Sequence, residues 1–151
     1  MKIAFAGAGY IINIHAKAAQ AQPDMELVAV VEKYSDKSAG LAKIFDIKHR
    51  FESVEQMLEA GGVDALVIGT PNFLHAPQAI SALKAGVHVM VEKPMALRVE
   101  HCRELIRLAA DKRRVLAAGL VDELRDLQRG RVLIGSNEGG VHVLLPLIEK
   151  F

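Results

Sequence analysis

Apolar residues along this chain fall into short unbroken runs, separated by stretches in which they recur every three or four positions. "KIAFAG" (2–7), "ELVAVVE" (26–32), "DALVIGT" (64–70), "VHVMVE" (87–92) and "RVLAAG" (114–119) are each six or seven residues long and nearly continuous in apolar character. That length and texture predict strands buried on both faces. "KHRFES" (48–53) is a shorter candidate. Helix signals lie between the runs. Ser35 is placed to cap a segment running to Phe45, and Ser53 with Gln56 makes a capping box. Pro77 suits a first helical turn, and Gly86 the position just past a helix end. Cys102, Leu105, Ile106 and Ala109 are spaced as one buried helical face, in a helix ending near Lys112.

Strands alternating with helices imply a parallel sheet covered on both faces, and right-handed crossovers make it a doubly wound α/β fold. Residues 1–119 hold that pattern as one domain. After Gly119 it weakens. "VDELRDLQRG" (121–130) reads as a short helix, and "RVLIG", the turn "SNEGG" and "VHVLL" as one or two further strands. Residues 120–151 are too few for a second domain, so they are expected as a short extension packed on the first or meeting a second copy in a homo-oligomer.

Composition narrows the classes. A chain of 151 residues, 51% apolar and 25% charged, builds one globular domain with a sizeable core. A net charge of +1 gives no footprint for nucleic acid. The one basic cluster, Lys112-Arg113-Arg114, stands where a helix should end and suits the negative pole there. The single Cys102 excludes an intrachain disulfide and fits a reducing compartment. No apolar run approaches the roughly 20 residues that cross a bilayer, and no leader precedes the first strand. The expectation is a cytoplasmic protein with no membrane partner and no metal.

Three segments carry candidate chemistry. "GAGYII" (7–12) follows the first strand and opens the first helix. Gly7 allows a tight turn, and Gly9 lets backbone approach a pyrophosphate resting on the helix N-terminus. Ile12 stands where a third glycine or alanine is usual. Glu32 ends the second strand, 23 residues beyond Gly9, where a carboxylate can accept the hydroxyls of an adenosine ribose. A carboxylate repels a 2′-phosphate, which favours NAD; Lys33 beside it keeps NADP open. "GTPNFLH" (69–75) places Thr70, Pro71 and Asn72 along the same crevice, with His75 at a helix start. "VEKP" (91–94) ends another strand on Glu92, Lys93 and Pro94, three residues that a sheet interior rejects. Proline stops the strand and invites a cis bond that sets the direction of Lys93. A lysine so placed can polarise an oxygen or relay a proton.

"AFAGAGYIINIHAKA", "TPNFLHAPQAISALKAGVHVMVEKPMAL" and the helix from Val99 resemble the glucose–fructose oxidoreductase / inositol dehydrogenase (Gfo/Idh/MocA) family over residues 1 to 119. The resemblance implies an NAD(P)-binding Rossmann domain. Its cofactor would be lined by Gly7, Ala8, Gly9, Tyr10, Ile11, Ile12, Glu32, Lys33, Thr70, Pro71, Asn72, His75, Glu92, Lys93 and Pro94. Lys93 would take part in substrate binding and proton transfer, as the catalytic residue. It further implies hydride transfer to or from a hydroxyl-bearing carbon of a sugar or cyclitol. The family continues into a second domain that supplies an aspartate and a histidine as acid and base. Here Leu144 and Ile148 fall at those places in "GGVHVLLPLIEKF". The chain therefore reads as a truncated member, either part of an oxidoreductase or a non-catalytic dinucleotide-binding or assembly module.

Overall fold

The computed structural model describes residues 1–119 and 132–135. Seven strands form one sheet in the order β3-β2-β1-β4-β5-β6-β7. They are β1 (Lys2–Ala6), β2 (Glu26–Val31), β3 (His49–Phe51), β4 (Ala65–Ile68), β5 (His88–Val91), β6 (Leu116–Gly119) and β7 (Val132–Gly135), and every neighbouring pair is parallel. The helices are α1 (Tyr10–Gln20), α2 (Ser35–Phe45), α3 (Val54–Ala60), α4 (Asn72–Lys84) and α5 (Val99–Lys112).

Strand periodicity divides the core in two. Ile3, Phe5, Ala65, Val67 and Met90 pack on one face with Ile12, Ala16 and Ala19 of α1 and Leu41 and Phe45 of α2. Ala4, Ala6, Leu66, Ile68, Val89 and Val91 face the other way, onto Met57 of α3, Ala76, Ala79 and Leu83 of α4, and Leu105 and Ala109 of α5. Successive strand residues point to opposite faces, so runs apolar at every position serve both cores at once. The result is a doubly wound three-layer α/β fold.

The predicted strands stand where expected, with ends one or two residues shorter. "RVLIG" supplies β7; the predicted helix over 121–130, the strand at "VHVLL" and the positions of Leu144 and Ile148 lie outside the described residues. Ser53 Oγ accepts the Gln56 N–H at 3.2 Å, while the Gln56 side-chain Oε1 accepts the Glu52 N–H at 3.1 Å. Three helix details differ from expectation. Tyr34, not Ser35, stands at the N-cap position of α2 and makes no side-chain cap; the Glu32 carboxylate accepts the Tyr34 N–H at 3.2 Å in the turn ahead of it. Helix α4 starts at Asn72, so Pro77 lies inside it. The N–H that Pro77 lacks would have bonded only to Phe73 in the exposed first turn, where water can serve the carbonyl. On α5, Leu105 and Ala109 are buried but Ile106 is 41% exposed, so the buried stripe is narrower than its spacing suggests.

Candidate functional site at the carboxyl edge of the sheet

Strand register builds the site. Ala6 pairs with Val31 on one side and Ile68 on the other, and Ile68 pairs with Val91. The residues one step further are therefore level: Glu32, Gly7, Gly69 and Glu92. Each extends the ladder by one bond, Gly7 to the Val31 carbonyl, Glu32 to Phe51, Gly69 to Ala6 and Glu92 to Ile68, all at 2.8–2.9 Å. From Glu32 to Glu92 is three strand spacings, about 14 Å at ~4.8 Å each. A ligand touching both is an extended one. The chain leaves β1 toward β2 on one side and reaches β4 on the other, so the crevice between β1 and β4 is a topological switch point.

Glycines shape that crevice. Gly7 has φ +98°, and a Cβ there would stand 2.9 Å from the Gly69 carbonyl oxygen. Side chains are excluded twice, by dihedral and by space. A Cβ on Gly69 would stand 2.8 Å from Ile12 Cδ1 and 2.9 Å from Ile11 Cγ2. This resolves the incomplete glycine fingerprint. The small residue that close packing of helix on strand requires is on the strand, at Gly69, and Ile12 fills the space it leaves. Gly9 is different: it caps α1 with ordinary extended backbone, and its Cβ would meet nothing within 4 Å among the described residues. Helix α1 has no side-chain cap and no acidic residue in its first turn. Among the described residues, no side chain meets its leading N–H groups and positive pole.

Glu32 is half-buried at the edge of a cavity of about 150 Å³ lined by Lys33, Ser35, Ser38, Arg50, Phe51 and Glu52. Lys33, Tyr10, Pro71 and Asn72 are exposed on the same edge, and Ala8, Ile11 and Thr70 are partly buried. Thr70 Oγ donates to Gln78 Oε1 at 2.7 Å, fixing the loop after β4 to α4. Lys93 and Pro94 are exposed, and the peptide between them is cis. Ile12 and His75 are placed under the rim rather than on it. Ile12 is in the core, and His75 is buried with Nδ1 2.8 Å from the Pro94 carbonyl oxygen and Nε2 2.8 Å from that of Thr70. The polar atoms of His75 meet the protein's own backbone.

Glu92 brings in a residue that sequence reasoning missed. Its Oε1 lies 2.7 Å from Nε2 of His15 in α1, and its Oε2 accepts the Lys93 N–H at 3.3 Å. The hydrogen bond from His15 holds the Glu92 carboxyl below its usual value, against burial, which pushes it up; the Lys93 N–H and ammonium add smaller pulls downward. His15 was detectable, since Ile12, His15, Ala16 and Ala19 fall on one helical stripe. A histidine on a core stripe needs a polar partner. Gly69 and Arg50 were missed too, the first because only the packing reveals its role. Among the described residues, no group of three or more His, Cys, Asp or Glu side chains could hold a metal ion, and no helix is long and apolar enough to cross a membrane.

A family model described as an oxidoreductase family with an NAD-binding Rossmann fold matches residues 1–120. The D-glucoside 3-dehydrogenase of Escherichia coli is 33% identical over 118 residues, 78% of this chain and 34% of that protein. Among solved structures, GenD2 from gentamicin A biosynthesis in complex with NAD superposes with a TM-score of 0.75 at 31% identity, over 79% of this chain and 34% of the other. Biliverdin reductase from Synechocystis sp. PCC 6803, in complex with biliverdin and NADP+, gives 0.75 at 27% identity, over 80% and 38%. The chain spans about a third of the length of the curated relatives it matches.

Proposed function

The chain belongs to the Gfo/Idh/MocA oxidoreductase family, and on that premise we propose that its rim binds a nicotinamide dinucleotide, NAD in preference to NADP. We further propose that it is the nucleotide-binding part of an enzyme acting on a hydroxyl-bearing carbon of a sugar or cyclitol. The observation that carries the reading is the level row Glu32, Gly7, Gly69, Glu92, with an uncapped helix N-terminus opening between its members. An extended dianionic ligand fits that row: its pyrophosphate takes the free N–H groups of α1, and the open space over Gly9 admits it.

In this reading Glu32 accepts the adenosine ribose hydroxyls, which favours NAD over NADP. The loop Thr70–Asn72 lies along the nicotinamide half. When bound, the nicotinamide supplies or accepts the hydride. Lys93 donates a hydrogen bond to the substrate oxygen and passes a proton to or from it. Glu92 stays ionised beside it through the His15 hydrogen bond. Lys33 and Arg50, on the wall of the cavity beside Glu32, are the residues through which NADP would be tolerated.

Calorimetric titration tests the cofactor. We expect saturable heat with NAD, weaker binding of NADP, and reversal of that order when Glu32→Ser removes the carboxylate. No heat with either dinucleotide at millimolar concentration overturns the reading. A second reading, a dinucleotide-binding or assembly module without turnover, is favoured by Leu144 and Ile148, which stand where the family resemblance implies an aspartate and a histidine. A panel of sugars and polyols with NAD, followed at the reduced-nicotinamide absorbance, separates the two. Turnover lost in Lys93→Ala supports the enzyme; binding without turnover supports the module.

A further inference from the structure

Two histidines are each 1% exposed, and they stand on helices that cover opposite faces of the sheet. Both reach the same turn. From α1, His15 holds the Glu92 carboxylate through Nε2 at 2.7 Å. From α4, His75 holds the Pro94 carbonyl through Nδ1 at 2.8 Å and the Thr70 carbonyl through Nε2 at 2.8 Å. Lys93 is the residue between the two anchors. We propose that His15 and His75 are positioning residues that grip the Glu92–Pro94 turn from the two faces of the sheet and so fix where the Lys93 ammonium stands. Its purpose rests on the reading of Lys93 as the group that meets substrate.

The hydrogen bonding is specific on each side. Nδ1 of His15 is buried and has no partner among the described residues. A hydrogen there would be a buried donor with no acceptor, so the hydrogen sits on Nε2 and is donated to Glu92. The other carboxylate oxygen accepts the backbone N–H of Lys93 at 3.3 Å, which fixes the peptide plane entering that residue. On the far side carbonyl oxygens only accept. His75 is therefore the donor: a neutral ring serves one carbonyl and a doubly protonated ring serves both. A hydrogen on Nδ1, whether in the neutral Nδ1–H ring or the doubly protonated one, ties the peptide leaving Pro94 to the framework of α4. Because Lys93 itself is exposed, these backbone anchors, rather than packing around its side chain, set its direction. Sequence logic agrees, since each histidine occupies a stripe position that an apolar residue would fill if packing alone were required.

Nuclear magnetic resonance of the isotope-labelled full chain tests this without any ligand. In the wild type, His15 is expected to show a slowly exchanging Nε2–H and no hydrogen on Nδ1. In His15→Leu, amide exchange at Lys93 is expected to speed up about tenfold or more, as local opening replaces a held turn, while the amides of Phe5 and Val67 keep their protection. His15→Gln, which retains a donor, restores most of it. In His75→Leu the Met95 amide nitrogen, which shares its peptide unit with the Pro94 carbonyl, shifts. In both leucine variants the Lys93 Cε line moves toward that of an unrestrained lysine such as Lys112. Folded leucine variants with Lys93 unchanged overturn the proposal. If a variant does not fold, the wild-type spectrum decides, because a His15 ring with a hydrogen on Nδ1 and none on Nε2 breaks the chain of bonds and overturns it as well. Wild-type chain that keeps these signatures but binds neither NAD nor NADP supports the grip and refutes the dinucleotide reading.

Discussion

Gly69 and Ile12 are two halves of one packing solution, and substitution should expose the coupling. Gly69→Ala places a methyl 2.8 Å from Ile12 Cδ1 and is expected to cost about 1–3 kcal/mol as overpacking. Ile12→Ala, at a fully buried site, is expected to cost about 2–5 kcal/mol as a cavity. Urea denaturation of the double variant should fall short of the sum by about 0.5–3 kcal/mol; strict additivity would disprove the interlock. Glu92 adds a pH prediction. Its folded pKa lies below the unfolded one, chiefly through the His15 hydrogen bond. It therefore stabilises the fold above the unfolded carboxyl value, and that stability is lost as pH falls through the lower, folded value. Glu92→Gln should flatten the acid limb of a stability profile, leaving a smaller drop between neutral and acid pH than the wild type has. At this scale the sequence was only partly legible. Gly7, Glu32 and Lys93 could be picked out by type and place. The contacts by which their partners orient them lie in no local pattern: His15 meets Glu92 77 residues away, and Gly69 meets Gly7 and Ile12 from another strand.

Helix α1 makes the clearest element-scale prediction. Gly9 holds the N-cap with extended backbone and no obstruction around it, so an aspartate there would cap the helix well. Gly9→Asp should raise thermal stability slightly, by about 0.3–1 kcal/mol from capping and the dipole. It should at the same time weaken dinucleotide binding, since two like charges ~4 Å apart repel by about 1–4 kcal/mol in wet to half-buried surroundings. A variant both more stable and weaker in calorimetry is the expected outcome; unchanged affinity would show that the pyrophosphate does not rest there. Elements themselves were readable because strands buried on two faces have no polar positions to blur them, and because capping signals are local. Helix α4 was misplaced for a physical reason. Proline is commonest in a first turn, yet it is tolerated at Pro77 because the acceptor it deprives lies in an exposed first turn.

On the scale of the whole molecule, the two cores share a single sheet. Phe5 sits in one and Leu105 in the other, both fully buried, yet neither core has a separate framework. Phe5→Ala and Leu105→Ala should each cost about 2–5 kcal/mol and shift one common transition, seen alike by near- and far-ultraviolet circular dichroism. Two separable transitions would mean the faces unfold independently. A parallel sheet with every strand running one way also makes its two edges unlike. Lys2 opens β1 at the edge opposite the crevice, with its N–H on Asp64 at 2.7 Å, and five residues of strand, about 16 Å, separate the two. A fluorophore or surface tether joined to the Lys2 amine would therefore leave the working edge facing solution, so a sensor chip could be loaded through the idle side of the sheet.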